Sequence, residues 1–232
     1  MNQPHITAII PAAGIGQRMQ SVYGKIRKPY IRLHGEPVLY YTLRAFQESE
    51  WISEIIPVCE PEWMDFVREA IIEPHRFSKV HRLAEGGPRR QDSVFSGLKA
   101  TVKTDIVLVH DGVRPVIRPE KITALVQAVK AHRAAILAVR SKDTVKSQDA
   151  GGFVLETLNR EILWNVQTPQ GFEYALLKQA FEQAYQDGFC GTDESMLVER
   201  LGIKVKIVEG DYDNIKITTP EDIAFAEARL KR

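Results

Sequence analysis

The chain has 232 residues, of which 44 % are hydrophobic and 26 % charged, with a formal net charge of +1. That size and composition bury a full core without disulfide or metal staples. The near-neutral balance excludes an electrostatically driven nucleic-acid binder, so affinity for an anion has to come from local clustering.

Apolar runs alternate with amphipathic stretches along the chain. Residues 6–12, ITAIIPA, read as a buried strand. The run 37–49 places Leu39, Leu43 and Phe46 on one helical face, with Pro37 at its start. A strand follows at 53–60, a helix at 62–72, a weaker strand at 78–85 and a helix at 89–102. Residues 104–111, TDIVLVHD, form the clearest buried strand, followed by a helix at 119–132 and a strand at 134–140. This alternation predicts an α/β fold: a Rossmann-like, mostly parallel sheet with helices on both faces. Ligands bind such sheets beyond the carboxyl ends of the strands, here the loops 11–19, 85–93 and 111–115.

From 141 to about 160 the pattern turns polar around Gly151-Gly152 and predicts a hairpin arm with too little apolar content for its own core. An arm of this kind usually packs on something else, which points to a homodimer, with a solvent-exposed hairpin as the alternative. The chain returns through 164–172, then gives helices at 173–188 and 192–202, strands at 204–210 and 213–218, and a last helix from Thr219-Pro220-Glu221-Asp222. We treat the whole as one domain over 1–232, with the arm inserted at about 141–162. Cys59 and Cys190 lie far apart and show no metal-ligand spacing, as expected of reduced thiols. The apolar stretch 6–13 is too short for a leader or a membrane span, so a cytoplasmic protein with no removed leader is expected.

The loop after the first strand, PAAGIGQRMQSVYGKIRKPY, is glycine-containing and rich in positive charge. As a dinucleotide fingerprint it has Gly14 and Gly16 but Met19 at the third small position, and it lacks the acid some twenty residues on. As a P-loop it fails at both ends, because Ile26 follows Gly24-Lys25 and no glycine stands five residues earlier. As a nucleoside-triphosphate loop of another type it is coherent. Its glycines let backbone N–H groups approach phosphate oxygens, and Arg18 and a following lysine add full charges. An ordinary strand–helix turn with solvated charges is the structural alternative.

Further along, Gly86-Gly87 follows a strand and Ser93 lies in the first helical turns, either as a second phosphate loop or as a turn with a helix cap. Asp111 stands at the carboxyl end of the best strand, where an acid either shares Mg²⁺ with phosphates or satisfies loop N–H groups. Lys216 alternates with Ile215 and Ile217 in an apolar segment.

The ordered set PAAGIGQRM, a following lysine, GG-x-x-R-x-x-SV, VHDGVRP, KDTV, LNR…LW-x-VQTPQ, GTDE and VEGDYDNIKITTPED spans essentially the whole chain. In that order the motifs resemble the 2-C-methyl-D-erythritol 4-phosphate cytidylyltransferases of the non-mevalonate isoprenoid pathway. The resemblance implies transfer of CMP from CTP to methylerythritol phosphate, with Mg²⁺, in a homodimer whose arms complete the partner's sites. Matched motif by motif, Pro11, Ala12, Ala13, Gly14, Gly16, Gly86, Gly87, Ser93 and Asp111 would surround the nucleotide. Arg18 and Lys28 would stabilise charge on the α-phosphate. Asp111 would also sit by the metal, which is held mainly through phosphates. Thr144, Arg160, Lys216 and Arg114 would hold the methylerythritol phosphate, Arg160 and Lys216 also acting in catalysis.

The segment from Arg18 to Lys28 is longer than the family's usual one, and Pro29 stands where the family has Gln. Lys28 is matched by the continuation KPYIRL, with Lys25 as its rival. Pro88 and Arg89 replace residues that are commonly acidic in the family. The nearest alternative is a cytidylyltransferase for ribitol 5-phosphate or another sugar-alcohol phosphate. It would share the opening loop and differ in the arm and in the stretch from VQTPQ to GTDE. An oxidoreductase and a non-catalytic nucleotide-binding module are rivals of other classes.

Overall fold

The computed structural model describes residues 3–13 and 27–230. Gly14, Gly16, Arg18 and Lys25 lie outside the described residues.

Among the described residues, a seven-stranded sheet runs in the order β11-β7-β10-β6-β1-β4-β5. Its members are β1 (Ile6–Pro11), β4 (Glu54–Cys59), β5 (Ala84–Glu85), β6 (Ile106–Val109), β7 (Ala134–Arg140), β10 (Trp164–Glu173) and β11 (Lys206–Glu209). Neighbours pair in parallel except β10, which runs antiparallel to both β6 and β7. Two small hairpins stand apart, β2 (Arg32–Leu33) with β3 (Glu36–Pro37), and β8 (Lys146–Gln148) with β9 (Val154–Thr157).

The central strands are apolar on both faces, and their period of two divides them between two cores. Ile6, Ala8, Ile10, Ile55, Ile106 and Leu108 point to one side. There they meet α1 (Val38–Glu48), α2 (Met64–Val67, continued by a π-turn over Arg68–Ile72) and α4 (Pro119–His132). Ile9, Ile56, Val58, Val107 and Val109 point to the other, against α3 (Arg90–Ala100), α5 (Tyr174–Gln186) and α6 (Glu194–Glu199). A third cluster joins Leu33, Val38 and Tyr41 to Ile217 and to Ala226 of α7 (Pro220–Leu230).

The structure differs from the sequence reading in three segments. The strand read at 78–85 shrinks to Ala84–Glu85. Residues 213–218 keep their alternation, with Ile217 buried and Lys216 exposed, but form no strand. They face a loop, to which Ile217 N–H donates at Val113 O, at 2.9 Å. Residues 164–173 are an antiparallel strand, hidden in the sequence by the polar run Gln167-Thr168-Pro169-Gln170. Gln167, Thr168 and Gln170 are all buried, and side-chain hydrogen bonds to Asp211, His110 and Asp193 outside the strands compensate them.

The β8–β9 hairpin turns on Asp149, whose Oδ1 accepts from the N–H groups of Gly151 and Phe153, both at 2.9 Å. Gly152 has φ +83°, a conformation glycine adopts without steric cost. Phe153, Val154, Leu155 and Ile162 are exposed by 63–74 %.

Candidate active site

Parallel β1 and β6 end side by side, with Ile9 in register with Val109. Beyond their carboxyl ends lies a cleft lined by Pro11, Ala12, Ala13, Lys28, Pro29, Arg90, Asp111, Val113 and Lys216. Loop bonds fix its floor: Ala12 N–H to Val58 O at 2.8 Å, Gly112 N–H to Pro11 O at 3.0 Å and His110 N–H to Ile9 O at 3.0 Å.

Asp111 is the centre of the cleft's charge. Its side chain is only 9 % exposed, and its two oxygens meet three cations. Arg90 Nε lies 3.1 Å from Oδ1, Lys216 Nζ 3.0 Å from Oδ2, and Arg114 Nε 3.4 Å from Oδ2. Burial alone would raise this carboxyl's pKa. Arg90, Lys216 and Arg114 outweigh burial and hold it well below the usual carboxylate range. Arg90 also reaches Glu194, Nη1 to Oε1 at 2.8 Å, and burial pushes that carboxyl up against the opposing pull of Arg90. Burial lowers the pKa of Arg114, whose Nη1 donates to Asn214 O at 2.8 Å. Lys28 Nζ donates to Thr218 O at 3.1 Å. Arg90, Arg114 and Lys216 thus face the two carboxylates of Asp111 and Glu194, and Lys28 also lines the cleft, a gathering of positive side chains in a chain of net charge +1.

His110 supports the cluster from below. It is fully buried, and burial pushes its pKa down to about 4, so the ring is neutral at pH 7. Its Nε2 lies 3.1 Å from Arg114 O, a carbonyl that can only accept, so the proton sits on Nε2. Nδ1 then accepts from the Thr168 hydroxyl at 3.1 Å, and Thr168 Oγ1 accepts from Asp111 N–H at 3.0 Å. This chain of bonds fixes the backbone on either side of Asp111.

Gly86 and Gly87 form the neighbouring wall. A Cβ on Gly86 would collide with the Ala13 Cβ, so glycine lets this loop close onto the end of β1. Ser93 is fully buried and turns its oxygen to the loop, accepting from Gly87 N–H at 3.1 Å. Ser93 shapes this wall and is not one of the side chains lining the cleft.

The structure therefore brings together Pro11, Ala12, Ala13, Lys28, Asp111, Arg114 and Lys216, with Gly86 and Gly87 alongside. Thr144 and Arg160 lie apart, exposed on the arm, where Arg160 Nη1 donates to Lys142 O at 3.1 Å. Sequence reasoning left Arg90, Glu194 and His110 without roles. Arg90 and His110 stand inside the motifs GG-x-x-R and VHDGVRP, and Glu194 inside GTDE, so the signal was their position in a motif. Their contacts join segments far apart in the chain.

Among the described residues, no group of three or more His, Cys, Asp or Glu side chains could hold a metal ion. Asp111 is the one carboxylate among the residues lining the cleft, and both its oxygens already meet cations. This donor set fits an ion carried mainly by phosphate oxygens, not one held in a protein cage. No described helix is long and apolar enough to cross a membrane.

Known proteins match this chain over its length. The sequence model described as IspD, 2-C-methyl-D-erythritol 4-phosphate cytidylyltransferase, matches residues 6–232. A protein of that name from Caldanaerobacter subterraneus subsp. tengcongensis is 44 % identical over 229 residues, covering 98 % of this chain and 100 % of its own. Another, from Geobacillus thermodenitrificans, is 48 % identical over 224 residues, 96 % of each chain. The crystal structure of 4-diphosphocytidyl-2C-methyl-D-erythritol synthase from Anaerococcus prevotii superposes with a TM-score of 0.87 at 39 % identity, over 99 % of this chain and 97 % of that one. On this agreement of sequence and fold over the full length, the chain belongs to the 2-C-methyl-D-erythritol 4-phosphate cytidylyltransferase family and is a CTP-dependent nucleotidyltransferase of isoprenoid biosynthesis.

Proposed function

We propose that the Asp111 cleft is where this chain transfers CMP from CTP to 2-C-methyl-D-erythritol 4-phosphate. A phosphate oxygen of the methylerythritol phosphate attacks the α-phosphorus of CTP. As that P–O bond forms, the bond from the α-phosphorus to the oxygen bridging it to the β-phosphate breaks. Diphosphate leaves with the electron pair, and 4-diphosphocytidyl-2-C-methyl-D-erythritol remains. No side-chain nucleophile is required. The protein's task is to bring two anions together in line and to stabilise the charge that develops.

The observation that carries this reading is the set of three cations around Asp111, in a cleft that Lys28 also lines. Asp111 holds Lys216 and Arg114 in place before an anion arrives, so the site is ordered in advance. Lys28 flanks the α-phosphate together with Arg18, and Lys216 and Arg114 bind the attacking phosphate. Pro11, Ala12, Ala13, Gly14, Gly16, Gly86 and Gly87 surround the nucleotide, with Ser93 holding the second glycine loop in shape. Magnesium would supply charge neutralisation on the triphosphate, and Asp111 is the cleft carboxylate that would help to hold it.

Thr144 and Arg160 act in the cleft of a second copy, reached by the arm at about 141–162. The bare Phe153, Val154, Leu155 and Ile162 favour this homodimer, because burying each such side chain stabilises by roughly 1.5–3 kcal/mol. We read the rest of the chain as one nucleotidyltransferase domain. The unpaired Cys59 and Cys190 suit a reducing, cytoplasmic setting.

The test is diphosphate release from CTP with either methylerythritol phosphate or ribitol 5-phosphate as acceptor. Release with methylerythritol phosphate alone supports the assignment. Equal or greater release with ribitol 5-phosphate overturns it.

A further inference from the structure

We propose that Arg118 and Arg229 are positioning residues for this reaction: from outside the cleft they clamp Asp211 and Asp213 and so set the loop that presents Lys216 to Asp111. The inference rests on the reading of the cleft given above.

The loop 211–218 carries Lys216 but has no strand ladder to hold it. A segment with so little backbone pairing is placed by its side-chain anchors. On its inner side Asn214 Nδ2 donates to Thr168 O at 2.8 Å, and Gln167 Nε2 donates to Asp211 O at 2.7 Å. On its outer side the anchors are ionic. Arg118 spans both acids, Nε to Asp211 Oδ2 at 3.0 Å and Nη2 to Asp213 Oδ2 at 3.2 Å. Arg229 takes the remaining oxygen of Asp213, Nε to Oδ1 at 2.9 Å.

The two arginines come from different elements. Arg118 is the residue before α4, at the end of the segment that starts from Asp111, and Arg229 lies in the last turn of α7. The clamp therefore ties the Lys216 loop to the Asp111 segment and to the C-terminal helix at once. Neither arginine lines the cleft, and, unlike Arg114, both are paired with Asp211 and Asp213 and not with Asp111, which sets them back from the reacting groups. The Arg118 side chain is 56 % exposed and that of Arg229 31 %, so single ion pairs here contribute little to global stability. Geometry at Lys216 is more sensitive, since small misplacements in a positioning-based mechanism cost rate steeply.

The test compares Arg118→Ala, Arg229→Ala and their double variant with wild type and with Lys216→Ala. The double variant is expected to lose about tenfold or more in kcat, with KM for CTP changed by less than about threefold and the unfolding midpoint nearly unchanged. In the Lys216→Ala background the same pair of changes is expected to cost no more than about twofold, because their effect runs through Lys216. Arg118→Lys, which keeps one ion pair, is expected to recover part of the loss and guards against a folding defect in the alanine variants. An unchanged kcat in the double variant, or a full loss that persists in the Lys216→Ala background, overturns the inference. If Lys216→Ala itself keeps wild-type activity, it is the reading of the cleft that fails.

Discussion

The Lys216 ammonium lies 3.0 Å from Asp111 Oδ2, although its own side chain is 44 % exposed and the aspartate's only 9 %. A half-solvated cation thus neutralises a buried anion, and the pair sits at the rim of the cleft. Asp111 stands where a substrate phosphate would otherwise be needed to hold Lys216, Arg114 and Arg90 together.

Replacing Asp111 by Asn leaves three cations crowded without their counter-charge. A loss of about 3–5 kcal/mol in stability at pH 7 is expected. The carboxyl's folded pKa lies below its unfolded value. Its stabilisation is therefore fully present above the unfolded pKa, near 4, and is lost as pH falls toward the folded one. Denaturant unfolding of both proteins from pH 7 to pH 3 should show the gap constant at first and narrowing below about pH 4. A gap that stays the same down to pH 3 contradicts this role.

Lys28 lines the cleft and is tied through Thr218 O to the segment that carries Lys216. Lys28→Ala should lower kcat/KM about a hundredfold or more, as loss of a charge contact at the transition state does. Lys25→Ala should cost far less. Steady-state rates of the two variants decide between the lysines, and equal, small losses would refute the choice of Lys28.

Ser93 is buried with its oxygen on Gly87 N–H. Ser93→Ala strands that donor, at a cost of about 1–3 kcal/mol. On the proposed reading the loop it shapes borders the nucleotide, so KM for CTP should rise while kcat holds. A variant with wild-type unfolding and wild-type KM would show that the hydroxyl does not hold the loop.

The arm offers a test by mixing. Subunits with Arg160→Ala and subunits with Lys28→Ala, each weakly active, should regain activity together if the arm serves the partner's cleft. Phe153→Asp with Leu155→Asp should weaken self-association in sedimentation. No recovery in verified mixed dimers, or an unaltered mass for the doubly charged arm, would argue against the shared site.

The cores were legible because the apolar strands carry both faces in plain alternation: Ile6, Ala8 and Ile10 go one way and Ile9 the other. The ends of β1 and β6 followed from the same strands, and with them Pro11 to Ala13 and Asp111. Strand β10 was not legible. Gln167, Thr168 and Gln170 look like a polar turn, and it is bonds to distant partners, His110, Asp211 and Asp193 among them, that offset their burial. Residues 213–218 misled in the opposite sense, since Ile215 and Ile217 alternate like a strand although no strand among the described residues pairs with them. Arg90 and Glu194 escaped because an ion pair across 104 residues leaves no local pattern.

The central claim is that cations gathered on Asp111 perform the transfer of CMP. It is tested most directly by single-turnover diphosphate release from CTP and methylerythritol phosphate, both saturating, for wild type and Lys216→Ala. The expected result is a single-turnover rate about a hundredfold lower in the variant than in wild type, with its unfolding midpoint retained. A folded Lys216→Ala protein that releases diphosphate at the wild-type rate would contradict the claim.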